Sequence, residues 1–277
     1  MIFFYYILIL FSISFSSEDI NLDSDNDGYT DMQEEHYGSN PYDPSSLIYK
    51  GGWPYNINKS KLDDIEFRDC ESLPYGNGCD CTADDQCVSG SKCEILFTSQ
   101  NCVPKTNAKL PNLIATDQFG DQVELYDFAN QGKYILIEVT GQWASPANTM
   151  AEWMSGNPDN IIKMRWWQDN FNEVKKLIDS GEIYYLRVMH QGPYKDEVIT
   201  NDDLFNWNNE YPHKNIVNLA DPEAKIKTWT RPTGYPCLML FNPDMTLNTP
   251  GEGINGDAQR RRGLKAPFER LILNNSK

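Results

Sequence analysis

From Leu110 onward, apolar positions recur with the periods of strands and helices in turn. "PNLIATDQFGDQVELYDF" (Pro111–Phe128) predicts two short strands joined across a glycine turn, and "KYILIEVTG" (Lys133–Gly141) predicts a strand in the middle of a sheet covered on both faces. Pro146 stands where a proline can open a helix, here through "ANTMAEWMSG" (Ala147–Gly156). A long helix is expected over Met164–Gly181, then a strand over Glu182–His190. A further helix is expected over Asn201–Pro212 behind an Asn/Asp cap. A hairpin in "YPCLMLFNPDMTLN" (Tyr235–Asn248) and a terminal helix over Ala266–Asn275 complete the pattern. This β-α-β then β-β-α order predicts an α/β domain at residues 108–277, with parallel crossovers and an antiparallel edge.

The first 107 residues have no such pattern. "MIFFYYILILFSISFS" (Met1–Ser16) is apolar and uncharged and ends small-x-small, so it is expected to be a secretory signal removed after Ser16. The run is shorter than a membrane span and broken by serines, so stable membrane insertion is not expected after cleavage. The expected destination is the periplasm, the cell surface or the medium. A formal net charge of −16 argues against nucleic-acid or anionic-membrane partners, which need a basic face. Residues 17–50 hold nine acids against Lys50 alone, and that clustering points to a cation.

"DSDNDGYTDMQE" (Asp23–Glu34) satisfies D-x-[DN]-x-[DN]-G-x5-E throughout. Asp23, Asp25 and Asp27 would point single oxygens at one centre, Gly28 permits the sharp turn, and Tyr29 would offer its backbone carbonyl. Asp31 would contribute directly or through water, and Glu34 would close the shell with both oxygens. Crowded hard carboxylates suit Ca²⁺, and no organic cofactor is expected. The rival reading is a solvated acidic linker. The following "EEHYGSNPYDPSS" resembles bacterial thrombospondin type 3 repeats, which implies one calcium-stapled spacer over residues 17–50.

Six of seven cysteines, Cys70, Cys79, Cys81, Cys87, Cys93 and Cys102, fall in residues 51–107. An even count in a loop-rich stretch behind a signal peptide predicts three disulfides, with the pairing left open. The stretch has too few apolar residues for a core of its own, so covalent loops would stabilise it. Zinc is the rival, but no C-x2-C pair and no histidine lies inside the cluster.

"GQWASPANTM" (Gly141–Met150) has the form of a W-C-x-P-C redox turn with alanine at both cysteine positions. "LPNLIATDQFGDQVELYDFANQGKYILIEV", "DLFNWNNEYPHKNIVNLADPEAKI" and "PTGYPCLMLFNPDMTL" supply further matching segments. Residues from about 108 to 275 thus resemble a thioredoxin-like redoxin of the TlpA or alkyl-hydroperoxide-reductase/thiol-specific-antioxidant type. The resemblance implies a thioredoxin fold, a mixed central sheet flanked by helices, behind the small disulfide-rich, calcium-loop N-terminal region. It implies that Pro236 is a cis proline facing the active-site helix. It also implies that Glu138, six residues before Ala144, occupies the place of a buried acid that serves the second cysteine. The vestigial site is then Glu138, Trp143, Ala144, Pro146, Ala147 and Pro236.

Thiol–disulfide exchange needs an attacking thiolate and a resolving thiol, and neither alanine supplies one. A peroxidatic cysteine would fall at position 144, so hydroperoxide reduction is lost as well. Ser145 has no histidine base placed beside it by the motif. Strand alternation is expected to turn Cys237 away from the face that Tyr235 presents, leaving it buried and inert rather than reactive. His190 and His213 read as ordinary polar residues, and Arg260–Arg262 as a solvated turn before the last helix. An intact leader without a tag reads the alanines as natural rather than engineered. In redoxins an extended polypeptide lies in the groove beside the cis proline, so the expectation is a secreted, redox-inactive module binding a peptide or protein near Trp143 and Pro236. The alternatives are a thiol-disulfide oxidoreductase or peroxiredoxin-like antioxidant enzyme of the redoxin family, its activity kept through Cys237 or through relatives with cysteines at 144 and 147, and a purely architectural block.

Overall fold

The computed structural model describes residues 21–62, 65–96, 99–232, 234–251 and 262–275. The expected signal at residues 1–16 lies outside them, as do Arg260 and Arg261.

After the acidic loop comes α1 (Asp31–Tyr37), started by a capping box between Thr30 and Gln33 and ended at Gly38. The cysteine-rich stretch holds an antiparallel hairpin, β1 (Ser91–Leu96) and β2 (Ser99–Pro104). Disulfides join Cys70 to Cys79, Cys81 to Cys93 and Cys87 to Cys102. The thiols that a zinc site would need are therefore tied up as disulfides.

The core follows as β3 (Ile114–Asp117), β4 (Gln122–Glu124), β5 (Ile135–Gly141), α2 (Ser145–Met154), α3 (Asn172–Asp179), β6 (Tyr184–Gln191) and α4 (Asn201–Glu210). It continues with β7 (Ile216–Ala220), α5 (Lys225–Thr230), β8 (Cys237–Phe241), β9 (Leu247–Thr249) and α6 (Arg262–Asn275). The strands form one sheet in the order β4-β3-β7-β6-β5-β8-β9. β5, β6 and β7 run parallel, while β8 returns antiparallel on the other side of β5. This mixed sheet with helices packed on it is a thioredoxin fold. All seven residues of β5 are buried, as its near-continuous apolar run requires for a central strand. Among the described residues no helix is long and apolar enough to cross a membrane.

Alternation along the strands divides the core in two. Leu136, Tyr185, Leu238 and Leu240 meet Met150, Trp153, Val174, Ile178, Phe268 and Leu271 from α2, α3 and α6. The opposite face, with Ile137, Val139, Leu186, Val188, Cys237 and Met239, is covered by Trp229 of α5 and by Tyr49 and Trp53 from the N-terminal region. That N-terminal cover is pinned by hydrogen bonds from Tyr49 to Asp127, at 2.5 Å, and from Trp53 Nε1 to Asp117, at 2.7 Å. Lys59 pairs with both Glu124 and Asp127 at 2.9 Å.

Several elements differ from their sequence expectation. The long helix over 164–181 is only α3, preceded by a single 3-10 turn at Asp169–Phe171. Adjacent helical positions point ~100° apart, whereas Trp166 and Trp167 both pack inward, Trp167 edge-on against Trp153 at 4.7 Å and Phe171 at 5.8 Å. Gln168 adopts extended backbone to allow it. α4 is capped by Thr200, whose hydroxyl accepts from Asp203 N while Asp203 accepts from Thr200 N, and not by an Asn/Asp residue. α6 begins at Arg262, so that arginine opens the helix instead of closing a turn, and Pro267 lies inside it. Cys237 is buried on the same face as the half-buried Tyr235, as residues two apart along an extended chain should be. Its burial comes from its depth in the sheet, not from facing away from Tyr235.

Candidate functional site

The turn between β5 and α2 is built by close contacts. The ladder between β5 and β6 is irregular at Thr140 and Gly141. A Cβ on Gly141 would lie 2.7 Å from the Trp143 indole, so only glycine fits beneath that ring. Trp143 donates from Nε1 to Gln191 Oε1 at 2.6 Å and meets the Tyr235 ring edge-on at 5.9 Å. Ala144 precedes α2, and Pro146 sits in the helix's first turn, where the missing N–H costs nothing. The Tyr235–Pro236 peptide is cis. Trp143, Ala144, Ser145, Pro146, Pro232, Gly234 and Tyr235 line an open hollow of 240 Å³. Ala144 is 3% exposed and Ala147 fully buried, so both residues present only methyl groups.

Beneath this turn, Glu138 is fully buried and its Oε2 accepts from Arg187 Nε at 2.8 Å and from the Tyr185 hydroxyl. Arg187 also reaches Asn218 Oδ1 at 3.4 Å and stacks 5.6 Å from the Trp207 ring. Burial, helped by Glu138, pushes the Tyr185 hydroxyl well above the ordinary tyrosine range. Sequence reasoning missed Arg187. Its signal was a single cation inside the apolar run "YYLRVM", which a buried strand tolerates only with a partner.

His190 lies 4% exposed beside the hollow, with Nε2 3.0 Å from the Tyr235 hydroxyl. Burial, with some help from Lys227, pushes its pKa down to about 4, so it is neutral near pH 7. His213 instead pairs with Asp179 at 2.9 Å. The imidazole partners are therefore Tyr235 and Asp179, and no described hydrogen bond gives Ser145 a histidine base. Cys237, the cysteine outside the disulfides, is fully buried among Val139 and Met239.

The acidic loop folds through its own carboxylates. Asp23 accepts from the backbone N–H groups of Asn26 and Gly28, at 2.7 and 3.1 Å. Asp25 Oδ1 accepts from Asp27 N, and Asp27 Oδ1 from Tyr29 N. Gly28 has φ 101°, a conformation L side chains rarely adopt. These bonds leave Asp25 Oδ2, Asp27 Oδ2 and Glu34 Oε2 buried without a hydrogen-bond partner. Glu34 is fully buried on α1, and its other oxygen accepts from Ser39 at 3.2 Å. Ligand oxygens of Asp23, Asp25 and Asp27 lie within 4.8 Å of one another. Desolvation and neighbouring aspartates hold the Asp25 and Glu34 carboxyls above their usual range. Asp25 and Asp27 thus combine neighbouring carboxylate oxygens with one oxygen each that lacks a donor, groups that a hard divalent cation could satisfy. Asp31 is placed differently: both its oxygens accept from Ser24, from N at 2.8 Å and from Oγ at 2.7 Å.

No family model and no curated protein matches the chain. Among solved structures, the exposed lipoprotein thioredoxin Etrx1 of Streptococcus pneumoniae strain TIGR4 is 17% identical, over 58% of this chain and 99% of that one, with a TM-score of 0.38. A thioredoxin-like protein from Bacteroides caccae is 20% identical over 61% of this chain and 50% of that one, with a TM-score of 0.41. Arabidopsis thaliana ScoI, solved with copper bound, is 13% identical over 61% and 99%, with a TM-score of 0.38. Likenesses at this level carry nothing about the site's chemistry, and the fold assignment stands on the sheet order itself.

Proposed function

We propose that this chain is a secreted thioredoxin-fold binding module without redox activity, carrying a calcium-stapled N-terminal segment. The observation that carries this reading is the hollow between Trp143 and Tyr235, which keeps its walls while Ala144 and Ala147 stand where both sulfurs would be. A groove walled by an indole, a phenol and prolines suits an extended peptide with apolar side chains, held beside the Tyr235–Pro236 backbone. Without a thiol there, such a ligand is bound and released unchanged. Secretion is supported by the apolar stretch Met1–Ser16. Asp23, Asp25, Asp27, the Tyr29 carbonyl and Glu34 would hold Ca²⁺, whose charge would offset the repulsion among these carboxylates.

Displayed random peptides selected on the purified chain test the groove. Enriched peptides should lose binding to Ala144→Arg, which fills the hollow from its floor, and keep binding to Ile162→Lys, an exposed control 55% accessible. Equal binding to both variants would remove the groove from the proposal. In the same preparation, wild-type chain should not speed the reduction of insulin by dithiothreitol above the rate without protein.

A further inference from the structure

We propose that Asn58 is an N-glycan acceptor; the inference rests on the secreted reading above. The chain contains two N-x-S sequons, Asn58-Lys59-Ser60 and Asn274-Asn275-Ser276. The structure separates them. Asn58 is exposed and precedes a single 3-10 turn at Lys59–Lys61. The middle residue, Lys59, turns inward to Glu124 and Asp127, each at 2.9 Å, and its side chain is only 17% exposed. Asn58 and Ser60, the two recognised residues, are both exposed on the outer side. Lys61 Nζ donates to Asn58 Oδ1 at 2.7 Å, which fixes the carbonyl branch of the amide and leaves Nδ2 on the other branch.

Beside Asn58 lies an open hollow of 510 Å³ lined by Tyr55, Asn56, Ile57, Lys61, Asn130 and Gln131. Amide groups and a tyrosine ring suit the hydroxyls and the apolar face of a sugar. A glycan there would also cover Ile57, which is 56% exposed. Asn274 lies in the last turn of α6, where its Nδ2 is buried. A glycan on that nitrogen has no room without displacing the helix, whereas one on Asn58 leaves every described contact in place.

In the transfer, Asn58 Nδ2 bonds to the anomeric carbon of an oligosaccharide carried on a polyprenyl diphosphate. The anomeric carbon–oxygen bond breaks, the diphosphate leaves with the electron pair, and the amide gives up one proton. No oxidant or reductant is involved.

The full chain is expressed in a eukaryotic cell in two forms, with its own leader and with an established secretory leader replacing residues 1–16. Peptide-N-glycosidase should lower the mass of the second form by one glycan and convert Asn58 to aspartate, read by peptide mass spectrometry. The step should vanish in Asn58→Gln and Ser60→Ala and persist in Ser60→Thr and Asn274→Gln. The serine variants separate loss of the sequon from any folding defect at Asn58. No mass step in the leader-replaced wild type, or a step that survives Ser60→Ala, overturns the proposal. Failure of only the native-leader form to reach the medium overturns the secreted reading instead, because the other form still decides whether Asn58 is modified.

Discussion

Arg187 Nε donates to Glu138 Oε2 at 2.8 Å across the parallel β5–β6 pair, with both side chains buried. The two residues lie directly opposite in the ladder, so the sheet register itself makes the pair. Glu138 is thereby one half of a fully buried ion pair. Removing one partner leaves an uncompensated buried charge, which costs about 3–5 kcal/mol. Glu138→Gln and Arg187→Met should each lower the urea midpoint accordingly. The double variant Glu138→Leu with Arg187→Met should recover most of the loss, because it leaves no orphaned charge. A double variant as unstable as the sum of the singles would show that the pair is not the coupled unit described here.

The central strand and the helix after it were legible because each is a local signal: a nearly continuous apolar run in β5 and a proline opening α2. The pieces that escaped depend on partners far along the chain. Tyr49 and Trp53 look like linker aromatics until the face they cover is known. The run through Trp166 and Trp167 reads as helix, yet Trp167 packs inward against Trp153 and Phe171 with Trp166 beside it. The hairpin β1–β2 is short and polar, and its stability comes from disulfides rather than from an apolar stripe. Glu138 was visible as an acid in a strand, but its role was set by Arg187, 49 residues later.

His190 gives the fold a pH dependence of known sign. Burial lowers its folded pKa to about 4, below its ordinary value near 6.5. Between those values the unfolded chain takes up a proton that the folded chain refuses, so stability is full above pH 6.5 and falls as pH drops towards 4. The difference is at most about 3 kcal/mol. Urea unfolding at pH 7 and pH 4.5 should show His190→Gln losing less stability than wild type over that interval. A wild-type His190 resonance titrating near pH 6.5 would refute the shift.

Glu34 is the residue on which the calcium proposal is most exposed to test, since a buried carboxylate oxygen without a donor needs a cation or a proton. Calorimetry on the full chain should give one site with affinity of about 10⁻⁴ to 10⁻³ M, as for extracellular modules. Glu34→Gln and Asp25→Asn should abolish the heat, while Asp31→Asn should weaken it less, because Asp31 is engaged with Ser24. No heat at millimolar Ca²⁺ would leave the acidic loop as a self-bonded turn. Chelation should also speed proteolysis between residues 21 and 40, where carboxylate repulsion would then be uncompensated.

Placing cysteines at positions 144 and 147 tests what the turn can do. Ala144→Cys with Ala147→Cys places a thiol just ahead of α2, whose free N–H groups favour the thiolate, and a second one turn later. Trp143 and the cis Tyr235–Pro236 peptide still flank that position. The double variant should therefore speed insulin reduction by dithiothreitol, while wild type and Cys237→Ser add nothing to the rate without protein. Activity in wild type that disappears in Cys237→Ser would make the buried thiol the working group and end the non-catalytic reading. The pH–rate profile carries the sharper expectation. The rate should rise with pH as the thiol at position 144 ionises, because the thiolate is the attacking species.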